Sequence, residues 1–213
     1  MFDLDMWIRY TPRLINAIWI HFIYVIISVC IGSVIAIILA IFLSRSKKMA
    51  KYLIPILGIF QTIPGIVFIG ILFIYIGMTP YTVIIALSIY AILPVLKNAY
   101  TGIINVDNSL IEAGRGCGMN QWIILIRIEL PMAINSIITG IRMSTIYTVS
   151  WAVLAAMIGQ GGLGEFIYIG INSNMKQFIV IGSIPAALMA IGFGFIIDKL
   201  QIVLTPRGLR RDV

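Results

Sequence analysis

The stretch Glu112-Ala113-Gly114-Arg115-Gly116-Cys117-Gly118, with Glu129-Leu130-Pro131 behind it, holds the side chains best placed for chemistry. That chemistry is recognition, not bond making. It is a polar, glycine-rich insert between two apolar runs long enough to cross a membrane, and it suits contact with a water-soluble partner. Ser109-Leu110-Ile111-Glu112 fits a capping box. In such a box Ser109 accepts from the Glu112 amide and the Glu112 carboxylate reaches back to the Ser109 amide. Gly116 or Gly118 would end that short helix. A second helix over 120–130 would stop at Pro131.

Other constellations have competing readings. Gly159-Gln160-Gly161-Gly162-Leu163-Gly164 matches G-x-G-x-x-G. A dinucleotide site needs a strand before it, and an apolar run precedes it here, so a tight turn is expected instead. Gln61, Thr62 and Pro64-Gly65 interrupt a long apolar run. Broken helices at mid-membrane often line a transport path, although a packing kink satisfied by neighbours also fits. Ser144, Thr148 and Trp151 fall at i, i+4 and i+7, with Tyr147 beside them. That stripe suits passage of a quaternary ammonium by cation–π contact, or simple hydrogen-bonded glue between helices. Arg142 lies within an apolar run, where a charge costs roughly 2.5–3.5 kcal/mol at bilayer centre. The sequence favours snorkelling towards one face, with a carboxylate partner as the alternative. Cys30 and Cys117 have no His partner nearby and form no metal site.

The elements that position these residues follow from composition. Hydrophobic residues fill 61% of 213 positions and charged residues 11%, where a soluble domain carries about 25% charged residues. Mean hydropathy is +1.06. The sequence predicts an all-α, polytopic membrane protein with one domain over 1–213 and no soluble one. A net charge of +7 is read as loop charge on the cytoplasmic side, not as a nucleic-acid surface.

Five spans are predicted, over about 22–43, 53–76, 81–96, 132–157 and 178–197. The first is 22 residues without a charge, about 33 Å of helix for a core of roughly 30 Å. Asp3 and Asp5 stand where a secretory leader has basic residues, so no cleaved leader is expected. Lys and Arg divide eleven to three. The richer side holds Arg45, Lys47, Lys48 and Lys51, then Lys97, Arg115 and Arg127, then Lys199, Arg207, Arg210 and Arg211. The poorer side holds Arg9, Arg13 and Lys176. This predicts an external N-terminus, a cytoplasmic C-terminus and a cytoplasmic loop over 97–131. None of the eight acids falls inside the predicted spans, and Asp198 stands at an end, which argues against proton coupling. Sodium coupling, as in a secondary transporter or channel for a small solute, stays open. So does a membrane scaffold that recruits a cytoplasmic enzyme.

Glu112-Ala113-Gly114, Gly118 and Leu130-Pro131 resemble the EAA loop of ATP-binding-cassette importer permeases, with Gly114 where a third Ala is usual. Gln61-Thr62-Ile63-Pro64-Gly65, the stretch from Leu93 to Ile103, Gly140-Ile141-Arg142 and Ile158 to Gly164 are similar to permeases for glycine betaine, carnitine and choline. Thr148-Val149-Ser150-Trp151-Ala152 departs from the usual pattern of those relatives. The resemblance covers nearly the whole chain. It implies a non-enzymatic transport subunit in the cell membrane, with five spans and the N-terminus outside. It implies a coupling helix over Ser109, Leu110, Ile111, Glu112, Ala113 and Gly114, bounded by Gly118 and Pro131. Gln61, Thr62, Pro64, Ser144, Tyr147, Thr148 and Trp151 are the expected path residues. The implied partners are a cytoplasmic ATPase dimer, a second permease chain, an extracellular binding protein and the bilayer. No metal or cofactor is expected on this chain, ATP and magnesium residing on the ATPase.

Overall fold

The structure, a computed structural model, describes residues 4–206, with side chains from Tyr10 onward. Arg9, Arg207, Arg210 and Arg211 of the charge count, and the acids Asp3, Asp5 and Asp212, lie outside the described side chains. Among the described residues every regular element is helical. In chain order they are α1 (Leu4–Ser44), α2 (Lys47–Phe60), α3 (Gly65–Ile76), α4 (Pro80–Ile104) and α5 (Asn108–Gly116). Then follow α6 (Gln121–Ile124), α7 (Leu130–Ala152), α8 (Gly164–Asn172) and α9 (Lys176–Leu204).

Among the described residues four helical stretches are long and apolar enough to cross a membrane: Tyr10–Ser44, Pro80–Ile104, Gln121–Ile158 and Lys176–Leu204. The bent pair α2 and α3 supplies a fifth if it counts as one span. The apolar runs are therefore in the predicted order, but the helices differ from the predicted bounds, α1 beginning well before residue 22. The second run is not one interrupted helix: α2 and α3 meet at 86°. The helix of the third run does not end at Leu96. It continues to Ile104, because Ala99 and Ile103 are buried, so the first two turns of the predicted 97–131 loop belong to α4.

Pro131 does not stop a helix. It lies at the start of α7, and the backbone runs into it without a break. Residues Leu125–Glu129 form a π-helical turn, and the Leu130 amide reaches back to the Leu125 carbonyl. A proline ring collides with the carbonyl four residues earlier. The wider π turn absorbs that collision by lengthening the bond pattern. At the far end of α7, residues Val153–Ile158 tighten into a 3-10 turn.

α4 is the central helix, packed between α1 and α7. Small residues set the spacing, as expected where lipid gives no hydrophobic drive for helix association. A Cβ on Gly32 of α1 would lie 2.7 Å from Ala91 Cβ and 2.8 Å from the Ser88 carbonyl oxygen. A Cβ on Gly140 of α7 would lie 3.0 Å from Val95 Cα and 3.1 Å from the Pro94 carbonyl oxygen. Both contacts meet backbone, so neither tolerates a larger side chain without separating the helices.

Candidate functional site

The insert around Glu112 forms α5. Its N-cap is Asp107 and not Ser109: the Ser109 amide donates to Asp107 Oδ1 at 2.9 Å. The capping box is thus corrected by two residues. Asp107 accepts from the amide two residues on, where a box serine would accept from the one three residues on, and an ionised acceptor makes the stronger bond. The Ser109 backbone and side chain hold the Asp107 carboxyl below its ordinary range. The consequence is functional. Glu112 has no capping duty, stands exposed, and has no hydrogen bond or ion pair among the described residues.

Leu110 and Ala113 are exposed on the same short helix, and Ile111 is half-buried. Gly114 is buried beneath it, where a Cβ would lie 2.7 Å from Ile128 Cδ1 and 3.5 Å from Ile124 Cγ1. The small residue there lets α5 rest directly on α6 and the π turn. Helix α5 ends at Gly116, and Gly118 follows at φ +78°, a left-handed position that glycine adopts without strain. Beside α5 runs an apolar groove of about 460 Å³, lined by Leu110, Ala113, Cys117, Met119, Met132 and Pro206 among others.

The break between α2 and α3 is the second candidate region. Gln61, Thr62 and Pro64 are exposed there. Pro94 in α4 has no N–H, so the Tyr90 carbonyl lacks its helical donor. Gln61 Nε2 donates to that carbonyl at 3.4 Å. The Tyr90 hydroxyl donates in turn to the Ile63 carbonyl at 2.9 Å, satisfying a group freed by the break. Thr62 Oγ1 donates to the Ile59 carbonyl at 2.7 Å. The Tyr90 ring stacks on Trp151 with centroids 4.3 Å apart and planes 21° apart. Trp151 lies over Gly65, where a Cβ would fall 2.1 Å from its ring carbon Cζ3.

The stripe on α7 divides. Ser144 is buried and donates to the Ala91 carbonyl at 2.9 Å. Thr148 is buried and donates to the Ser144 carbonyl at 2.8 Å. Both hydroxyls are occupied inside the protomer: Ser144 across the α4–α7 contact, as glue between helices would be, and Thr148 within α7 itself. Tyr147 is half exposed, and Trp151 is partly buried on the helix break.

Arg142 has a partner: its Nε lies 2.7 Å from Asp198 Oδ1 on α9. The pairing is that of the carboxylate alternative. Asp198 is inside α9, which runs on to Leu204, so it does not stand at the helix end. The glycine run after the 3-10 turn is a turn, with Gly159, Gly161 and Gly162 at φ +71°, +73° and +81°. The Gln160 side chain ties it to the Met78 carbonyl at 3.0 Å.

Sequence reasoning missed Tyr90 and the Asp107 cap. Each left a signal: Pro94 four residues after Tyr90 orphans a carbonyl, and Asp107 stands two before Ser109.

Residues 32–209 match the family described as binding-protein-dependent transport system inner membrane component. The chain is 38% identical to the carnitine transport permease protein OpuCB of Listeria monocytogenes, over 90% of this chain and 88% of that one. It is 38% identical to the choline transport system permease protein OpuBB of Bacillus subtilis, over 90% and 88%. Among solved structures, inward-facing conformations of the MetNI methionine ABC transporter superpose with a TM-score of 0.79 at 20% identity. That superposition covers 97% of this chain and 100% of the other. A match over most of the chain, with relatives of this identity and length, places this protein in the binding-protein-dependent transport system inner membrane component family, as a multi-pass membrane permease of an ABC importer.

Proposed function

We propose that this chain forms the translocation path of an ATP-driven importer for a quaternary-ammonium osmoprotectant: glycine betaine, carnitine or choline. The observation that carries the coupling half is α5. It is capped by Asp107, seated on the root of α7 through Gly114, and presents an unpaired Glu112 to solvent. A helix so placed is a handle for a water-soluble ATPase dimer, with ATP and magnesium on that partner. The side bearing α5 is cytoplasmic, and the N-terminus is external, as the Lys and Arg distribution favours.

The substrate half is supported by the relatives, whose names specify carnitine and choline, one also glycine betaine. The path is read along the broken helix, with Gln61, Thr62 and Pro64 exposed at the bend and Tyr147 and Trp151 on the facing helix. The exposed Tyr147 ring offers an aromatic surface for a passing cation. Ser144 and Thr148 hold that wall in place. Five spans are few to enclose a path, so a second permease chain, identical or homologous, completes it. An extracellular binding protein delivers the solute.

The test is ATP-dependent uptake of labelled glycine betaine, carnitine and choline into vesicles holding the reconstituted complex. Uptake of at least one solute that requires both ATP and the binding protein is expected. Equal uptake without ATP, driven by a sodium gradient, would overturn the reading.

A further inference from the structure

Glu129 is the single carboxylate that is buried among the described residues. It ends the π turn between the coupling helix and α7. Arg45, just past the end of α1, meets it with a two-pronged contact. Nη1 donates to Oε1 at 3.0 Å and Nη2 donates to Oε2. The residues are 84 apart in sequence, and the fork fastens the α1–α2 elbow to the segment on which α5 rests. Helix α2 begins at Lys47, two residues beyond Arg45.

Stability alone does not explain a charged pair here. Its neighbours Leu43, Ile124 and Leu125 are buried and apolar. Glu129 is buried while Arg45 is partly exposed, and a carboxylate taken out of water with its partner is often no more stable than well-packed apolar side chains of similar volume. What a bidentate guanidinium–carboxylate contact supplies is direction, because two parallel hydrogen bonds fix an angle as well as a distance. The contacts form an unbroken series. Gly114 of α5 sits against Ile128, Ile128 adjoins Glu129, Glu129 holds Arg45, and Arg45 leads into α2. The far end of α2 is the break bearing Gln61 and Thr62.

We infer that the Arg45–Glu129 pair is the positioning joint that carries displacement of the coupling helix to the α1–α2 elbow, and so to the bend at Gln61–Pro64. This rests on the coupling role proposed for α5. Without the joint, α5 still engages the ATPase and moves α7, but α2 no longer follows. Nucleotide is then spent with less solute moved.

The experiment uses the full complex of this permease, its ATPase and its binding protein in proteoliposomes. Uptake of labelled glycine betaine, carnitine and choline is measured with ATP hydrolysis in the same vesicles. Glu129→Gln and Arg45→Met each break the fork. Arg45→Met with Glu129→Leu replaces it by an apolar contact that restores packing. The expected result is assembled complex with hydrolysis retained and solute moved per ATP reduced about fivefold or more, the low end of typical coupling between sites. The apolar pair is expected to keep that defect although it assembles as well as wild type. A wild-type ratio in the apolar pair would overturn the inference, since packing would then be the whole role. Failure of all three variants to assemble would overturn it too. Wild-type vesicles with no ATP-driven uptake of any of the three solutes would overturn the transport reading and this inference with it. Wild-type uptake with an unchanged ratio in the variants removes this inference alone.

Discussion

Gly65 offers a clean test of the packing that holds the helix break. It is the first residue of α3 and its φ is not in the left-handed region, so alanine there meets no backbone strain. The whole effect of Gly65→Ala is steric. The new methyl would fall 2.1 Å and 2.3 Å from two Trp151 ring carbons and 2.9 Å from Leu154 Cδ1. Trp151 must tilt, and its stack on Tyr90 at 4.3 Å opens. Overpacking of this kind costs about 1–3 kcal/mol. For a chain of this length that lowers the melting temperature by about 2–12 °C. The assay is thermal unfolding of the purified permease complex in detergent, read by far-ultraviolet circular dichroism. Trp151→Leu alone leaves a cavity and destabilises. Combined with Gly65→Ala it makes room for the methyl, so the double variant should be more stable than the sum of singles by about 0.5–3 kcal/mol, the range for residues in contact. A wild-type melting temperature for Gly65→Ala, or strict additivity in the double variant, would refute the packing argument.

Three further outcomes are expected. Glu112→Lys should leave membrane insertion and melting temperature unchanged, because Glu112 is exposed and unpaired within the described residues, while ATP-dependent uptake is lost; retained uptake contradicts the handle role. Cys117 is exposed beside α5, so in a Cys30→Ala background a membrane-impermeant thiol reagent should label it in inside-out vesicles and not in intact cells. Labelling in intact cells would put α5 on the wrong side for an ATPase. Gly164→Ala should sharply reduce folded protein, since its Cβ would lie 1.9 Å from the Val153 carbonyl oxygen and backbone cannot yield as a side chain does, at a cost of about 3 kcal/mol or more. Gly116→Ala, which meets open space, is the matched control, and equal yields would refute the steric account.

The order of the apolar runs was legible because hydropathy in a membrane chain depends on composition alone, and composition needs no partner residue. The insert that forms α5 stood out for a similar reason: polar and glycine residues are rare in an apolar chain. What the sequence hid were contacts between distant positions. Arg45 reads as one more basic loop residue until Glu129 is beside it. Arg142 reads as a snorkelling cation until α9 is seen to carry Asp198 past its level. Local rules also competed. Ser109 and Asp107 both satisfy the pattern for an N-cap, and the ionised group two residues earlier prevailed. Pro131 stops a helix in water, but in this chain the π turn before it keeps the backbone groups bonded, as apolar surroundings demand.

Two of the departures from regular α-helix, the π turn and the α2–α3 bend, have related causes. At the π turn a proline forces the ladder open, and at the α2–α3 bend Pro64-Gly65 interrupts it altogether. Each departure is then held by a side chain from another element, Arg45 at the first and Tyr90 at the second. A regular helix moves as a rod, and pushing one end displaces the other without changing its shape. A break held by a hydrogen bond can take two arrangements, which is what a gated path requires. The breaks lie at opposite ends of α2: the fork meets its start, and the Tyr90 hydroxyl meets the carbonyl just beyond its end. Displacement applied at the fork therefore reaches the Tyr90–Ile63 bond through a single short helix. With the Gln61 bond to the Tyr90 carbonyl, that bond is the polar contact that ties the bend to α4.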